Sequence, residues 1–495
     1  MPQALRDAVR AHAAPPWLPE LSALVGADHV SDAAPDLWVY ARDRLPYATF
    51  AVRDGRVPGT LPSAVVRPGT EDELAAVVRF ARARRIPLIP YGAGSGVLGG
   101  AVPVARELVV DLKRLNRIVS IDETDLTVTV QAGMNGGQFE AALNARGFTT
   151  GHLPQSLYMS TVGGWAACRG AGQNSTRYGK IEDMVLGLRA ILPDGQVLQV
   201  RPVARRAVGP SVKDLMIGAE GTLGVITELT LRLWRLPEVQ LPLVLGFPSL
   251  QAGLDALRTV MQSELRPAVV RLYDAEESGQ RTSAGGVFDA RPFLAILEFS
   301  GPRRVAEAEC AVALEIATAH GGARSDDAPY HHWLAHRFES YSPKWQSRGY
   351  YMDTIEVTAP WSAIPALYAR IRDALAALSP QLYFGTHWSH VYPEGACQYM
   401  TVRGVPEPDA QALALHAHAW ETVQRLCLEA GASISHHHGV GAWRGGWLRA
   451  ELGSGFTLLQ ALKDHLDPDN LFVPGKLGLR ARDGAVRLEP EGDVR

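Results

Sequence analysis

The chain of 495 residues is longer than one hydrophobic core normally supports, so its length predicts two packed domains. A hydrophobic content of 46% and a charged content of 20% are typical of a globular protein and argue against a disordered or membrane-spanning one. Since 49 Lys and Arg face 52 Asp and Glu, the net charge of -3 gives no general attraction for nucleic acid or an anionic membrane.

The first clear elements begin at Ser63, after a segment of about 60 residues that mixes short helical patterns with turns. SAVVRPGTEDELAAVVRFARARRIPLIPYGAGSG predicts a strand, a helix capped by Thr70 with Glu73 as partner, and a second strand that ends in glycines. This order predicts a β-α-β unit that ends in a phosphate-type loop.

The following segments predict a second small sheet. LVVDLKRLNRIVSIDETDLTVTVQAG alternates apolar and polar residues around the turn IDETD, and MNGGQFEAALNARG predicts a helix that ends at Gly147. MVLGLRAILPDGQVLQV predicts a hairpin that turns at Pro193-Asp194-Gly195, and GTLGVITELTLRLWRLPE predicts a long strand.

From about Val239 the chain changes to amphipathic helices separated by strands, which predicts an α+β domain with an antiparallel sheet. We therefore divide the chain into an N-terminal segment 1–60, a first domain 61–238, a second domain 239–465 and a C-terminal segment 466–495 that returns to the first domain. The expected fold class is α+β.

The glycine-rich segment PYGAGSGVLGG follows a predicted strand. By itself it indicates only a tight turn, although absent side chains also let backbone N–H groups approach a pyrophosphate. It lacks GxGxxG with an acidic residue about twenty positions on, which disfavours a Rossmann dinucleotide site.

Three further segments give this loop a context: SLYMSTVGGWAACRGAGQNSTRYGKIED, GAEGTLGVITE and PGKLGL. Their order and spacing resemble the vanillyl-alcohol-oxidase (PCMH-type) FAD enzymes, whose cofactor lies between two α+β subdomains. The resemblance implies FAD-binding positions at Pro90, Tyr91, Gly92, Ala93, Gly94, Ser95, Gly96, Gln155, Ser156, Ser160, Thr161, Gly163, Gly164, Asn174, Ser175, Thr176, Arg177, Glu220, Gly221, Thr222, Leu223, Gly224, Val225 and Ile226. Because neither His nor Cys occurs between Pro90 and Gly100, we expect non-covalent FAD.

Within that superfamily, five segments resemble the alkylglycerone-phosphate synthase family: TGHLPQSLYMSTVGGWAA, PAVVRLYD, DTIEVTAPWS, YPEGACQYM and SISHHHGVG. That family exchanges an acyl chain for a fatty alcohol without net redox change, and FAD serves it as a covalent handle at N5. The resemblance implies catalytic roles for His152, Arg271, Tyr399, His436, His437 and His438. For Tyr399 it implies a proton-transfer role, which requires a phenol whose pKa cationic neighbours lower.

Each of these residues also has a structural alternative. Tyr399 could be a core tyrosine whose strand places it on one face with Cys397, and Arg271 could pair with Asp274 or Glu276. The three consecutive histidines cannot all face one direction. They lack a local carboxylate partner or an HxxxH spacing, so we predict no metal.

One position departs from the synthase pattern. Where that family has an arginine that holds the substrate phosphate, upstream of DTIEVTAPW, this chain has Ser342. Lys344 or Arg348 is the expected substitute, although a lysine lacks the bidentate geometry of arginine.

The leading hypothesis is therefore an FAD enzyme acting on a small molecule at a carbon beside a carbonyl or carboxylate. The alternative is an FAD-dependent oxidase or dehydrogenase of a 2-hydroxy acid or related alcohol, since SHHHGVG stands where many dehydrogenases have an EHGIG-like segment. A third hypothesis, a protein that only stores or senses flavin, would leave Tyr399, Arg271 and the three histidines without a common purpose. Four cysteines without a CxxC pair, the absence of a signal sequence and the absence of a long apolar run predict a soluble cytoplasmic protein. The resemblance also implies a homodimer.

Overall fold

The computed structural model describes residues 12–53, 55–282, 286–339, 344, 347, 350–379, 381–405 and 411–488. Three sheets with helices packed against them, together with a two-stranded ribbon, make up the fold. This mixture of helices and antiparallel sheets confirms the predicted α+β class. Within the described residues, none of the helices combines the length and apolar character that crossing a lipid bilayer requires.

The N-terminal part contains three short helices and a four-stranded first sheet. The helices are α1 (Leu18–Val25), α2 (Ala34–Val39) and α3 (Pro46–Arg53), and the strands, in the order β1-β2-β4-β3, are β1 (Val30–Ser31), β2 (Ala64–Val66), β3 (Leu88–Tyr91) and β4 (Leu108–Asp111). Helix α4 (Glu71–Ala83) joins β2 to β3, and both strands run parallel to β4. The predicted β-α-β unit is confirmed.

The cap of α4 follows its sequence signature. Thr70 accepts a hydrogen bond from the Glu73 N–H at 3.1 Å. The Glu73 carboxylate accepts one from the Gly69 N–H at 2.7 Å, one residue before the classical capping-box position. The segment LVVD lies in the first sheet and not in the second, because all four residues of β4 are buried, as a central parallel strand requires.

The second sheet is antiparallel, in the order β5-β6-β10-β8-β9. Its strands are β5 (Ile118–Asp122), β6 (Thr127–Gln131), β8 (Val185–Ile191), β9 (Val197–Val200) and β10 (Val225–Arg232), and the short strands β7 (Phe148–Thr149) and β11 (Trp234–Arg235) pair beside it. The helices of this region are α5 (Gly136–Asn144), α6 (Val162–Ala167), α7 (Ser175–Tyr178), α8 (Ile181–Met184) and α9 (Val212–Met216). The predicted hairpin and long strand are confirmed as β8-β9 and β10.

The third sheet has seven antiparallel strands in the order β15-β12-β14-β13-β17-β18-β16. They are β12 (Val239–Phe247), β13 (Val269–Tyr273), β14 (Phe293–Gly301), β15 (Ala323–Arg324), β16 (Tyr351–Pro360), β17 (Tyr383–Val391) and β18 (Gly395–Gly404). The helices are α10 (Leu250–Gln262), α11 (Ala275–Ser278), α12 (Val287–Ala290), α13 (Arg303–Ala319), α14 (Ala328–His336), α15 (Ile364–Leu378), α16 (Gln411–Glu429), α17 (Gly445–Leu452) and α18 (Ser454–Leu466).

One face of the third sheet is apolar, whereas the other, called the polar face below, carries a small apolar cluster around Val244 and Ile296 and polar residues elsewhere. Leu272, Trp388, Met400 and Ile355 lie on the apolar face and belong to one large buried cluster with residues of α10, α13, α15 and α16. Alternate residues face the other way, and four of them are direct cross-strand neighbours: Tyr273, His387, Tyr399 and Glu356. Helix α7 of the second sheet's region contacts β13 and β17.

The C-terminal segment returns to the first sheet, beside β3. The Leu88 N–H donates to the Leu471 carbonyl at 2.7 Å, and the Val473 N–H donates to the Leu88 carbonyl at 2.8 Å. This pairing brings the motif PGKLGL next to the glycine-rich segment that follows β3.

Candidate active site

The segment Pro90–Gly100, called the Gly-rich loop below, begins in the last residues of β3 and has no room for side chains at two points. Gly94 has φ +63°, and a Cβ there would overlap the hydroxyl of Tyr91. A Cβ at Gly92 would overlap Oγ1 of Thr161. Lys113 lies beside the loop, with its Nζ 3.2 Å from the Gly92 carbonyl oxygen and 2.8 Å from Oδ2 of Asp111. A backbone without side chains lets N–H groups approach a phosphate.

A cavity of about 430 Å³ opens beside this loop. Its lining includes Ala93 and Thr161, which belong to the two predicted cofactor segments, together with Lys113, Asn135 and Tyr158. The cavity therefore lies where the first and second sheets meet.

The segment Ser435–Gly441, called the histidine loop below, is held by a buried ion pair. Glu356 on β16 and Arg444 are both fully buried, with Nη1 2.7 Å from Oε1. The Glu356 carboxylate also accepts hydrogen bonds from the backbone N–H groups of His436 and His438. Arg444 donates to the Gly439 carbonyl at 2.9 Å. Although burial works in the opposite direction, the Arg444 charge holds the pKa of Glu356 below its usual value.

The three histidines of this loop surround Tyr399 and His390. The ring of His436 stacks on His390 at 4.9 Å between centroids, and His437 lies 4.8 Å from His390 and 5.9 Å from Tyr399. His438 meets Tyr399 edge-on at 5.5 Å. The turn of the loop thus brings consecutive side chains to one cluster, although they point in different directions.

His390 reaches the cluster through an irregularity of β17. The register with β18 shifts between Ser389 and Val391, and His390 has φ +50°, in the left-handed region that a histidine rarely adopts. Its Nδ1 lies 2.6 Å from Oγ of Ser175 on α7. Such backbone strain persists only where surrounding contacts fix it, and it is common at functional sites.

Arg271 joins the cluster through His387. It donates to the Tyr273 hydroxyl at 2.7 Å, its Nη2 lies 2.7 Å from Nε2 of His387, and His387 stacks on Tyr399 at 4.9 Å. Asp274 instead caps α11, where it accepts from the Glu277 N–H at 2.9 Å. Among the described contacts Arg271 pairs with neither Asp274 nor Glu276, so the ion-pair alternative is wrong.

Burial keeps the ionisable groups of the cluster neutral. It lowers the pKa of His390 to about 3 and holds the pKa values of His387, His436 and His437 well below the usual range. Burial likewise lowers the pKa of His438, but the Glu356 carboxylate opposes this shift, with Oε1 3.7 Å from Nδ1. For Tyr399, burial raises the pKa, so the expectation of a lowered phenol pKa is wrong: the neighbouring imidazoles are neutral and supply no positive charge.

His152 lies apart from this cluster. Its ring packs on Trp165 with 4.7 Å between centroids, and burial lowers its pKa to about 3. Within the described residues neither ring nitrogen has a hydrogen-bond partner, and the same holds for Oδ1 of Asn174.

Most of the remaining predicted cofactor residues fall into three groups. Gly163, Gly164 and Thr161 lie at the start of α6, where a Cβ at Gly163 would meet Ala132 at 2.5 Å, while Ser160 accepts from the Trp165 indole. Other side chains contact the third-sheet region: Gln155 donates to the Glu339 carbonyl, Ser175 meets His390, Thr176 accepts from the Val391 N–H and Arg177 donates to the Arg266 carbonyl. Thr222, Leu223, Gly224, Val225 and Ile226 are buried where β10 begins.

Of the two residues predicted to bind the substrate phosphate, only Lys344 lies within the described residues. Lys344 is exposed, with its Nζ 5.8 Å from the centre of the Tyr350 ring. Ser342 and Arg348 fall outside the described residues.

Residues that the sequence analysis did not single out complete the site. They are His387, His390, Glu356, Arg444, Tyr392 and Lys180. The Tyr392 hydroxyl lies 3.0 Å from Nε2 of His436, and Lys180 donates to the His436 carbonyl at 2.6 Å. Glu356 lies inside the segment DTIEVTAPWS, so the family motif was the sequence feature that could have identified it as a site residue. His390, His436 and His437 also offer three nitrogens within 4.8 Å of one another, a spacing that could hold a metal ion.

Comparisons with known proteins agree with this geometry. Residues 62–201 match the model "FAD binding domain", and residues 236–477 match "FAD linked oxidases, C-terminal domain". The uncharacterized FAD-linked oxidoreductase YgcU of Escherichia coli O157:H7 is 32% identical over 92% of this chain and 97% of that protein. The chain therefore belongs to the FAD-linked oxidoreductase family, and its cofactor is FAD.

Two further relatives carry more specific names. Alkyldihydroxyacetonephosphate synthase of Dictyostelium discoideum is 28% identical over 86% of this chain and 74% of its own length. The probable mitochondrial D-lactate dehydrogenase of Danio rerio is 28% identical over 84% of each chain. A solved alkyldihydroxyacetonephosphate synthase has the same fold, with a TM-score of 0.79, 24% identity and coverage of 93% of this chain and 84% of that one.

The residues present fit FAD. A cavity of about 430 Å³ opens beside the Gly-rich loop, and Thr161 from the second sheet's region lines it. His152 and Asn174 hold buried polar atoms that lack partners within the described part of the chain. Buried polar atoms usually have a partner, which a bound ligand can supply.

Proposed function

We propose that the chain is an FAD enzyme of the alkylglycerone-phosphate synthase type, acting on a small anionic molecule at a carbon beside a carbonyl or carboxylate. The observation that supports this proposal is that Tyr399 and the histidine loop come together on the polar face of the third sheet. FAD supplies an electron-poor ring system that accepts an electron pair or hydride. The residues of the chain would bind the substrate and move its proton.

His438 is the best proton acceptor of the cluster. Its Nδ1 faces the Glu356 carboxylate, which stabilises an imidazolium and opposes the effect of burial on the pKa of His438. Tyr399 touches His438 and keeps its own proton, because burial raises the pKa of its hydroxyl. We assign the proton removal to His438 and the supporting hydrogen bond to Tyr399.

Two arginines would hold the anionic end of the substrate. The guanidinium carbons of Arg271 and Arg337 lie 5.7 and 5.5 Å from the centre of the Trp333 ring. Nε and Nη1 of Arg337 are buried and lack hydrogen-bond partners within the described residues. A buried guanidinium with free donors favours a carboxylate or phosphate. We therefore propose that Arg337 fills the role that the sequence analysis gave to Lys344 or Arg348.

The alternative is a dehydrogenase of a 2-hydroxy acid, in which the substrate loses a hydride to FAD and its hydroxyl proton to a base. Two observations favour it: a relative named as a probable D-lactate dehydrogenase and the three-nitrogen cluster of His390, His436 and His437. Metal would then orient the hydroxy group.

Anaerobic mixing of the holoprotein with a panel of 2-hydroxy acids, with metal content measured in parallel, separates the two functions. We expect no lasting loss of the flavin absorbance, and we expect exchange of a labelled long-chain alcohol into an acylated glycerone phosphate. Stoichiometric flavin reduction by a hydroxy acid would reject the synthase reaction and establish the dehydrogenase.

A further inference from the structure

Glu220 follows the second sheet's helices in the motif GAEGTLG, yet its carboxylate reaches the histidine loop. Oε1 accepts from the Val440 N–H at 2.7 Å, and Oε2 accepts from the Gly441 N–H at 2.8 Å. Hydrogen bonds to an ionised carboxylate are about twice as strong as neutral ones. The sequence resemblance had assigned this residue to the cofactor.

The same carboxylate lies against the Gly-rich loop. A Cβ at Gly100 would come within 3.2 Å of Oε2, and a Cβ at Gly439 would come within 2.6 Å of Oε1. The Gly-rich loop also bonds to the two residues that follow the histidine loop, since the Leu98 carbonyl accepts from the N–H groups of Ala442 at 3.0 Å and Trp443 at 3.1 Å. Glu220 therefore fills the junction between the two loops.

Lys476, in the C-terminal segment, contacts the same junction. It is fully buried, and its Nζ donates to the carbonyls of Gly99 at 2.7 Å and Val102 at 2.6 Å. The next residue, Leu477, donates its N–H to the Gly441 carbonyl at 2.9 Å. One short segment thus bonds to the end of the Gly-rich loop and to the end of the histidine loop.

We infer that Glu220 and Lys476 are positioning residues that fix the histidine loop to the Gly-rich loop, so that the proton-carrying side chains keep a constant distance from the cofactor phosphates. This inference rests on the proposed role of the histidine loop. Neither side chain needs to touch the substrate. Glu220 has φ +46°, and its backbone strain is consistent with a conformation selected for these two hydrogen bonds.

Amide hydrogen exchange of the FAD-loaded protein tests the inference without any substrate. In Glu220→Gln, one N–H of Val440 or Gly441 loses its charged acceptor, and we expect exchange in the peptide around these residues to accelerate at least about tenfold. Unchanged exchange would overturn the inference. The matched control is Asp274→Asn, because Asp274 is also buried and accepts two backbone N–H groups, those of Glu277 at 2.9 Å and Thr386 at 2.8 Å.

The pH dependence of the exchange separates positioning from a general loss of packing. Burial raises the pKa of Glu220 to about 7, while Lys476 and Arg444 face it with positive charge. The thiol of Cys168 lies beside it. Opening of the loop would return the carboxylate to its ordinary acidity, so the closed loop binds the proton more tightly than the open one. We therefore expect the protection of the histidine loop to fall as the pH rises toward 7 in the wild type, after correction for intrinsic exchange, and to be independent of pH in Glu220→Gln. A variant that keeps the wild-type dependence would contradict the role of the carboxylate.

Lys476→Met provides a second, independent variant. We expect faster exchange in both loops and FAD affinity at least about tenfold weaker. The control Lys463→Met removes a buried lysine that donates to the Thr222 and Phe472 carbonyls and reaches neither loop. If Lys476→Met keeps both the exchange rates and the FAD affinity, the coupling is absent, whatever reaction the enzyme catalyses.

Discussion

The ring of Tyr399 packs against three imidazoles, those of His387, His437 and His438. Its strand neighbours, Glu356 on one side and His387 on the other, are set by the register of β16, β17 and β18. Because burial raises the pKa of its hydroxyl, Tyr399 keeps its proton and can donate a hydrogen bond. In the proposed reaction, the charged partner in proton transfer is His438 with Glu356.

Removing the Tyr399 hydroxyl tests its place in the reaction. We expect Tyr399→Phe to bind FAD normally and to slow turnover by about 10²- to 10⁴-fold, the loss that accompanies removal of an acid-base group. The measurement is kcat together with the flavin absorbance. Tyr368→Phe is the control, because Tyr368 lies on α15 behind the sheet and bonds to Asp274. Activity near the wild-type level in Tyr399→Phe would remove the residue from the mechanism.

His152 makes stability depend on pH. Since burial lowers its pKa to about 3, the unfolded chain binds a proton at this residue below pH 6.5 and the folded chain does not. Stability is therefore lost as the pH falls from 6.5 toward 3, by up to about 1.4 kcal/mol per pH unit from this residue. We expect His152→Phe to weaken this dependence in urea unfolding at pH 6.5 and pH 5. An unchanged slope would mean that the folded state protonates His152.

At the scale of elements, two loops carry the site, and each is shaped by a different kind of contact. The Gly-rich loop depends on missing side chains, because Tyr91 and Thr161 occupy the space where Cβ atoms would lie. The histidine loop depends on buried charge, because Glu356 and Arg444 bind its backbone from outside. The contact of Tyr91 with Gly94 is local in sequence, whereas Thr161 comes from a distant segment and the Glu356–Arg444 pair spans 88 residues.

Gly94→Val is expected to yield protein without FAD. The new side chain would meet the Tyr91 hydroxyl and would have to adopt φ +63°, so the loop would move away from its phosphate-binding shape. The bound flavin per chain after purification measures this. Gly209→Val is the matched control, since Gly209 has a similar φ of +65° but no atoms near its Cβ position. A yellow Gly94→Val protein with full flavin content would reject the phosphate role.

Breaking the Glu356–Arg444 pair should be costly. Glu356→Gln leaves a buried guanidinium without its counter-charge, so we expect a loss of about 3–5 kcal/mol in the free energy of unfolding. The double variant Glu356→Gln with Arg444→Met should recover part of this loss, because it removes the unpaired charge. Urea unfolding of both variants checks the prediction, and equal stability of Glu356→Gln and wild type would show that the pair is not needed.

At the scale of the whole molecule, the site lies where all three sheets meet. The Gly-rich loop comes from the first sheet, Thr161 from the second sheet's region, and Tyr399 with Glu356 from the third. The C-terminal segment then bonds to both loops. The residues of the proposed proton transfer and of the FAD site thus come from distant parts of the chain.

The mode of cofactor attachment can be tested on the intact protein. Since the Gly-rich loop contains neither His nor Cys, we expect FAD to be held by hydrogen bonds and packing alone. Acid precipitation should then release all flavin into the supernatant. Flavin that stays in the pellet, or that migrates with the denatured chain on a gel, would demonstrate a covalent link.

The sequence by itself determined the elements whose signals are local. The capped helix α4, the β8-β9 hairpin and the α+β class follow from spacing, capping and turn residues a few positions apart. The strand period likewise placed Tyr399 and Cys397 on one face, and four segments in order identified the FAD family. The roles of the individual site residues stay predictions.

Only the tertiary structure decided which side chains meet. The β-bulge at His390, the pair of Glu356 with Arg444 and the reach of Glu220 to Gly441 join residues far apart in the chain, and no local pattern records them. Burial, which is a property of the packed molecule, reversed the expected direction of the Tyr399 pKa. Charge states and long-range contacts depend on what surrounds a residue in space. The order of residues along the chain does not reveal these surroundings.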